Sequence, residues 1–457
     1  MLMYGGGNMA SNKELTAGKP LPMLIKYSLP LIGSVIFQQL YNLADSFVAG
    51  RFVGENALAA VGNSYEVTLI YLAFAIGGNI GCSVVVSQFF GAKRYNELRC
   101  AVTTALIACA VLCAVLMGLG FIFTPALLRL IKTSETIFGD SLLYLNIYTA
   151  GLFFTFFYNI STGLFTAMGD SVTPFIFLAA SSTANILVDI LFVKIFANGV
   201  AGVAWATFIC QGISCVLAMI FLIRRTRSIH VDEADRMPLF SWSILRRITA
   251  VAVPSILQQG FVSVGNVIIQ GVINSFGTSV TAGYTAAVKI NNFIINSQMS
   301  VANGMSAFTA QNIGAGKPDR VREGVKSCVA INLVLSIVGI AVCMLGGEFV
   351  VGLFMKDKTS EALGIGTNFL RIIMFFYPVV SAKLIADAVM RGSGTMKLFM
   401  LSTFSDLLLR VVLAIILSKV LGNVVGVWYA WPIGWTLSTV LSFIFYASGA
   451  WKRHSLQ

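Results

Sequence analysis

Four carboxylates stand inside long apolar stretches of the chain, Asp45, Asp189, Asp387 and Asp406, and a fifth, Glu66, lies near the start of another. An ionised acid at membrane depth costs roughly 3 kcal/mol on insertion scales, so one that is kept marks an ion site, a proton relay or a structural partner. Asn185 and Asp189 are four residues apart and share a helical face with Ser182. Gln38, Asn42 and Asp45 form a second polar face, and Thr207, Gln211 and Ser214 a third. Two carboxylates facing each other in a low dielectric do not both ionise comfortably; one takes a proton, or a cation enters between them. Either event ties ion binding to conformation. The plainer alternative is a hydrogen-bonded pair that only fixes helix packing. Asp406 with Arg410, and Lys383 with Asp387, are also four apart, and pairing along one helix would neutralise each acid without an outside ion. Glu66 is either solvated at the outer boundary or a cation-attracting group at the outer mouth. Pro30, like Pro254, is either a helix-start proline or a hinge, in the first case a hinge for a helix that answers to the state of Asp45.

The elements that must hold these groups are membrane spans. The chain of 457 residues is 57% hydrophobic and only 11% charged, against about 25% charged in soluble domains. That excludes a soluble protein. Apolar runs long enough to cross a bilayer are centred near Ile36, Leu72, Val111, Tyr148, Ala184, Ile213, Ser263, Ile290, Ser336, Phe375, Ala414 and Thr436. The expected fold is an all-α polytopic membrane protein of twelve transmembrane helices in two pseudo-symmetric six-helix lobes. The eighth run is interrupted by Lys289, Asn291, Asn292, Asn296, Gln298 and Asn303, so much of it should face a cavity rather than lipid. Basic residues crowd the loops on the side that holds both termini and are sparse on the other, which places the termini in the cytoplasm of an inner (plasma) membrane. The net charge of +12 therefore reflects short loops, not a nucleic-acid surface. The eight cysteines lie mostly within apolar runs, without a C-x-x-C pair, and read as free thiols used for packing.

The second half repeats the first. Pro30 pairs with Pro254, the string from Gln88 to Lys93 with that from Gln311 to Lys317, Ala167–Ser171 with Val389–Ser393, and Asn185–Asp189 with Asp406–Arg410. The divisions expected are an N-terminal cytoplasmic segment over 1–23, a first lobe over 24–223, a linker over 224–243, a second lobe over 244–449 and a tail over 450–457. Parallel repeats put a substrate site at their interface near the bilayer midplane.

With six-plus-six parallel spans, the paired Q-x-x-G-A strings at Gln88 and Gln311, N-I-L-V-D at Asn185–Asp189 and A-D-S-F-V-A-G around Asp45, the chain resembles the multidrug and toxic compound extrusion (MATE) family. The resemblance implies a V-shaped pair of lobes and export of amphipathic, often cationic, compounds driven by inward H+ or Na+. It places the cation-coupling site at Asp45, Asn185, Asp189 and Thr207, with Gln38, Asn42 and Gln211 in support and Na+ at Asp45 and Asp189 as one option. It also offers Asp387 as a substrate counter-ion, beside the local pair with Lys383. The expected partners are a small amphipathic substrate and the lipid bilayer, with no nucleic acid and no cofactor beyond the coupling ion, and the expected state is a monomer. A flippase for a lipid-linked or amphipathic metabolite is the alternative. An enzyme is not expected, since the only histidines are His230 and His454, in the linker and tail, and H-E-x-x-H, G-x-S-x-G and Walker A strings are missing.

Overall fold

The computed structural model describes residues 14–48, 55–131, 133–192, 199–229, 237–354 and 361–453. The first half holds α1 (Pro20–Val48), α2 (Glu55–Gly91), α3 (Tyr95–Leu130), α4 (Glu135–Ala150), α5 (Leu152–Ala167), α6 (Val172–Ile190) and α7 (Gly199–Ser228). The second holds α8 (Trp242–Asn274), α9 (Thr278–Gly314), α10 (Pro318–Gly352), α11 (Glu361–Ile373), α12 (Tyr377–Gly392), α13 (Met396–Leu421) and α14 (Val425–Ala447). Two spans that read as continuous from the sequence are broken. The fourth bends by 48° between α4 and α5, at Gly151, where a side chain would meet the ring of Phe208. The tenth passes from α11 through a 3-10 turn at Met374–Phe376 into α12, where Pro378 occupies the first turn. The breaks fall at matching places in the two halves, and twelve spans result.

Spans pack by shape because lipid tails are as apolar as the side chains, so association in the bilayer rests on close backbone approach and on polar contacts. Apolar residues such as Val111, Ile122, Val334 and Leu345 are exposed on the outer faces of α3 and α10, as lipid-facing positions must be. The eighth span divides between burial and exposure. α9 lacks the apolar character of the other spans, and of the residues that interrupt its apolar run Lys289, Asn292 and Asn303 are exposed, Asn296 is half-buried, and Asn291 and Gln298 are buried. Asn291, Gln298, Gln311 and Asn312 are buried among neighbouring helices, and Gln298 donates to the Ser336 hydroxyl at 3.0 Å.

The two lobes meet around α2 and α9. Each of these packs on the first helix of the opposite lobe and on the other. Gly77 lies against Ile256 and Gly81 against Ala252 and Ile248, which seats α2 on α8. Gly304 lies against Tyr27 and Ser28, which seats α9 on α1. At the ends of α2 and α9 the contact is reciprocal: a Cβ on Gly91 would run into the Gln311 carbonyl, and a Cβ on Gly314 into that of Gln88. These approaches all lie in the halves of the helices nearest the chain termini. Toward the other side, Gly62 on α2 and Gly260 on α8 have no atom near an added Cβ. The lobes are thus closely packed on the terminus-bearing side.

Replacing Gly91 by Val should force the two backbones apart. We expect a destabilisation of about 1–3 kcal/mol, the range for overpacking, read as a lowered thermal midpoint in detergent, whereas Gly62→Ala should leave the midpoint unchanged.

Candidate functional site

In the first lobe the buried side of α6 is polar. Its buried residues are Pro174, Ser182, Asn185 and Asp189, while Leu187 on the opposite side is 65% exposed. This is the reverse of a soluble amphipathic helix and suits a span whose outer face meets lipid. α6 packs between α1 and α7. From α7, Thr207 and Ser214 are buried and Gln211 is half-buried. Thr207 Oγ1 lies 3.3 Å from the Tyr41 hydroxyl of α1, which ties those two helices together beside the Asn185–Asp189 stripe. Gln38 is exposed, and Pro30 lies within an unbroken α1, its carbonyl accepting from the Ser34 hydroxyl at 3.0 Å. The side chains of Asn42 and Asp45 on α1, and of Glu66 on α2, lie outside the described residues. Among the described residues no three His, Cys, Asp or Glu side chains cluster as a metal site.

The second lobe holds a charged cluster that the sequence showed only in part. Lys383 Nζ lies 2.7 Å from Asp387 Oδ2, as the spacing predicted, and 3.8 Å from Asp406 Oδ2 on α13. Asp387 Oδ1 accepts from the hydroxyls of Ser402 at 3.0 Å and Ser442 at 2.8 Å. Asp406 Oδ1 accepts from Ser438 at 3.3 Å. All six side chains are buried. The expected Asp406–Arg410 pair is not formed. Arg410 instead lays its guanidinium 4.6 Å over the Trp431 ring, because α14 presents an aromatic face there and the Lys383 ammonium already reaches Asp406. A signal for the cluster was present in the chain: three successive helices each carry polar residues four apart, Lys383 and Asp387, Ser402 and Asp406, Ser438 and Ser442. Arg391, one turn beyond Asp387, donates to Asn303 Oδ1 at 2.7 Å on α9.

The helix ends also fix how the halves correspond. Gly169 and Gly394 are both left-handed, with φ of 78° and 82°, and close the same turn, Asp170 N to Phe165 O and Thr395 N to Met390 O. Gln311 Nε2 donates across the lobe boundary to Ala167 O at 2.8 Å, and Gln88 Nε2 to Gly392 O at 3.2 Å. Ala167 therefore corresponds to Gly392, not to Val389 as the matching strings suggested. Counted from the two glycines, Asn185 corresponds to Arg410, and Asp406 sits one turn nearer the terminus-bearing side. The Q-x-x-G-A strings thus have a physical role: each glutamine reaches the last turn of a broken span in the other lobe.

A duplicated six-span unit, closed around two polar-cored lobes, defines this molecule as a two-lobed polytopic membrane protein. The MatE family model matches residues 30–191 and 254–416, one stretch in each half, and the chain belongs to that family. It is 28% identical over 444 residues to a probable multidrug resistance protein, YpnP, of Bacillus subtilis, covering 97% of this chain and 98% of that one. It is 26% identical over 312 residues to a FAD transporter of Shewanella oneidensis, covering 66% and 67%. Its fold matches that of a multidrug resistance MATE transporter solved in an outward-facing conformation, with a TM-score of 0.90 at 22% identity over 97% of this chain and 98% of that one.

Ser442→Ala should remove one of the two hydroxyl donors to Asp387. A hydrogen bond to a charged group is worth about 1.5–3 kcal/mol, and we expect a loss of stability of that size in thermal unfolding, with the protein still folded because Lys383 and Ser402 remain.

Proposed function

We propose that the protein is a secondary antiporter that exports amphipathic, cationic drugs or metabolites in exchange for inward H+ or Na+, with coupling in the first lobe. One observation carries this reading: the only strongly polar buried stripe of α6 is Ser182, Asn185 and Asp189, in a helix otherwise suited to lipid. A buried carboxylate flanked by amide and hydroxyl oxygens suits either a proton or a sodium ion. Asp45 completes the site in this reading, with Thr207 contributing an oxygen from α7, Gln38, Asn42 and Gln211 supporting it, and Pro30 giving α1 a place to bend. The relatives named as multidrug resistance proteins support the substrate class.

The proposal also assigns sidedness. Basic residues such as Arg94, Arg225, Arg247, Lys317 and Arg320 lie with the termini, so that side is cytoplasmic in the inner membrane. Closed there, the molecule is outward-facing in this reading. Protonation or Na+ binding at Asp45 and Asp189 is the step that releases substrate outward. The segments over 1–23, 224–243 and 450–457 are cytoplasmic in this scheme, and the lobes over 24–223 and 244–449 work as a monomer.

Efflux of a fluorescent lipophilic cation from proteoliposomes tests this. A pH gradient and a sodium gradient are imposed separately on the parent, Asp45→Asn and Asp189→Asn. One gradient should drive the parent, and each variant should lose that drive by on the order of tenfold or more while still binding the dye. If neither gradient moves the cation although the folded protein binds it, antiport of cationic compounds is wrong, and a flippase for an amphipathic metabolite takes its place.

A further inference from the structure

The two lobes descend from one plan but hold their charges differently. In the first lobe Asn185, Asp189 and Thr207 are buried, and none carries a positive charge. In the second lobe Arg410 takes the place of Asn185. Trp431 takes the place of Thr207, as the strings Gly202-Val-Ala-Trp-Ala206 and Gly426-Val-Trp-Tyr-Ala430 show, and Ala414 takes that of Asp189. The second lobe's own carboxylates, Asp387 and Asp406, flank the Lys383 ammonium at 2.7 and 3.8 Å. The charged groups around that ammonium are Asp387 and Arg391 on α12 and Asp406 and Arg410 on α13; α14 brings no charge, only the Ser442 and Ser438 hydroxyls, which donate to Asp387 and Asp406. Arg391 is turned to Asn303. Asp387, Asp406, Lys383 and Arg410 therefore sum to zero without any ion from solution.

A buried carboxylate pair calls for a cation. The structure assigns that role to a side chain: we propose that the Lys383 ammonium is a tethered cation, occupying at Asp387 and Asp406 the position a free Na+ or proton would otherwise take. The second lobe is then locked in its neutralised state, and ion stoichiometry is set outside it. This goes beyond first-lobe coupling and does not depend on which ion the first lobe uses. Lys383 is a specificity-determining residue here, because it decides whether the second lobe answers to ions at all.

The test is made in protein carrying Asp45→Asn and Asp189→Asn, so that the first lobe is silent. Two readouts are used on purified protein in nanodiscs, 22Na+ binding and the dependence of the thermal midpoint on Na+ and on pH. With Lys383 present, both should be flat. Adding Lys383→Met, which keeps an unbranched stem of similar length, should produce either one extra bound Na+ per protein or a midpoint that rises as pH falls. Further addition of Asp387→Asn should abolish that response, since a single acid beside Arg410 needs no second cation. Lys383→Arg should stay flat. The proposal is overturned if Lys383→Met folds and responds to neither ion. It is equally overturned if the Lys383-bearing protein already responds and Asp387→Asn removes the response. If Lys383→Met folds only with Na+ or at low pH, that rescue supports the proposal. If it folds under no condition, the comparison with and without Asp387→Asn in Lys383-bearing protein decides, flat curves in both supporting it.

Discussion

The architecture hangs on how closely α2 and α9 approach at their terminus-bearing ends. In a bilayer no hydrophobic gain drives one apolar helix against another, so contact depends on what the backbone surfaces allow. At Gly91 and Gly314 a missing Cβ lets each helix lay its backbone against a carbonyl of the other, Gln311 in one case and Gln88 in the other. That closeness brings the two glutamine side chains within reach of Ala167 and Gly392, the last turns of α5 and α12. Carbonyls at a helix end have no partner within the helix; Ala167 O also accepts from the Ser87 hydroxyl at 3.3 Å. Gln311 also accepts from Leu15 N at 2.9 Å, and Asn312 donates to Leu15 O at 3.0 Å, so the segment before α1 is fastened to the same junction. Backbone closeness, capping of the broken spans and anchoring of the N-terminal approach are one contact seen from three sides.

Much of this was legible in the sequence. Twelve apolar runs, a repeated half and the paired Q-x-x-G-A strings gave the spans and the two-fold plan, because hydropathy and small-residue spacing are local properties. What escaped was set by tertiary context. The break at Gly151 has no strong local marker, since a lone glycine in an apolar run is tolerated in spans. The break near Pro378 had a marker, and the apolar run on both sides outweighed it. The polar α9 was expected to look into a cavity; in the fold Asn291 and Gln298 are covered by neighbouring helices, while Lys289, Asn292 and Asn303 stay exposed. The string match between Asn185–Asp189 and Asp406–Arg410 slipped by a turn because short apolar strings align about as well one turn apart, and only the helix-end geometry at Gly169 and Gly394 fixes the register.

The candidate site divides in the same way. Spacing was enough to put Asn185 and Asp189 on one face, and both are buried. It was also enough for Lys383 and Asp387. It was misleading for Asp406 and Arg410, since pairing along a helix is weak, about 0.2–0.5 kcal/mol, and yields to any better partner that tertiary packing supplies. Asp406 meets an ammonium from α12, and Arg410 meets an indole face, where a desolvated cation–π contact is worth about 2 kcal/mol. Three-helix convergence cannot be read from one helix at a time.

The duplication explains why such a difference between lobes is tolerated. Both halves inherit the same broken fourth span, the same capped end and the same reach across the junction, so the frame does not depend on what fills each core. A lobe core in a membrane must be charge-balanced, but it can be balanced by side chains or by ions from solution. Side chains give a fixed balance and a rigid lobe; ions give a balance that changes with the gradient across the membrane. Buried hydroxyls and carboxylates joined to Lys383 resist rearrangement, because breaking any one contact leaves a buried charge under-solvated. A transporter that moves one lobe against another gains from having one such rigid partner. The proposed cycle then places conformational response in the first lobe, where the Thr207 hydroxyl of α7 meets the Tyr41 hydroxyl of α1 beside the buried polar stripe of α6.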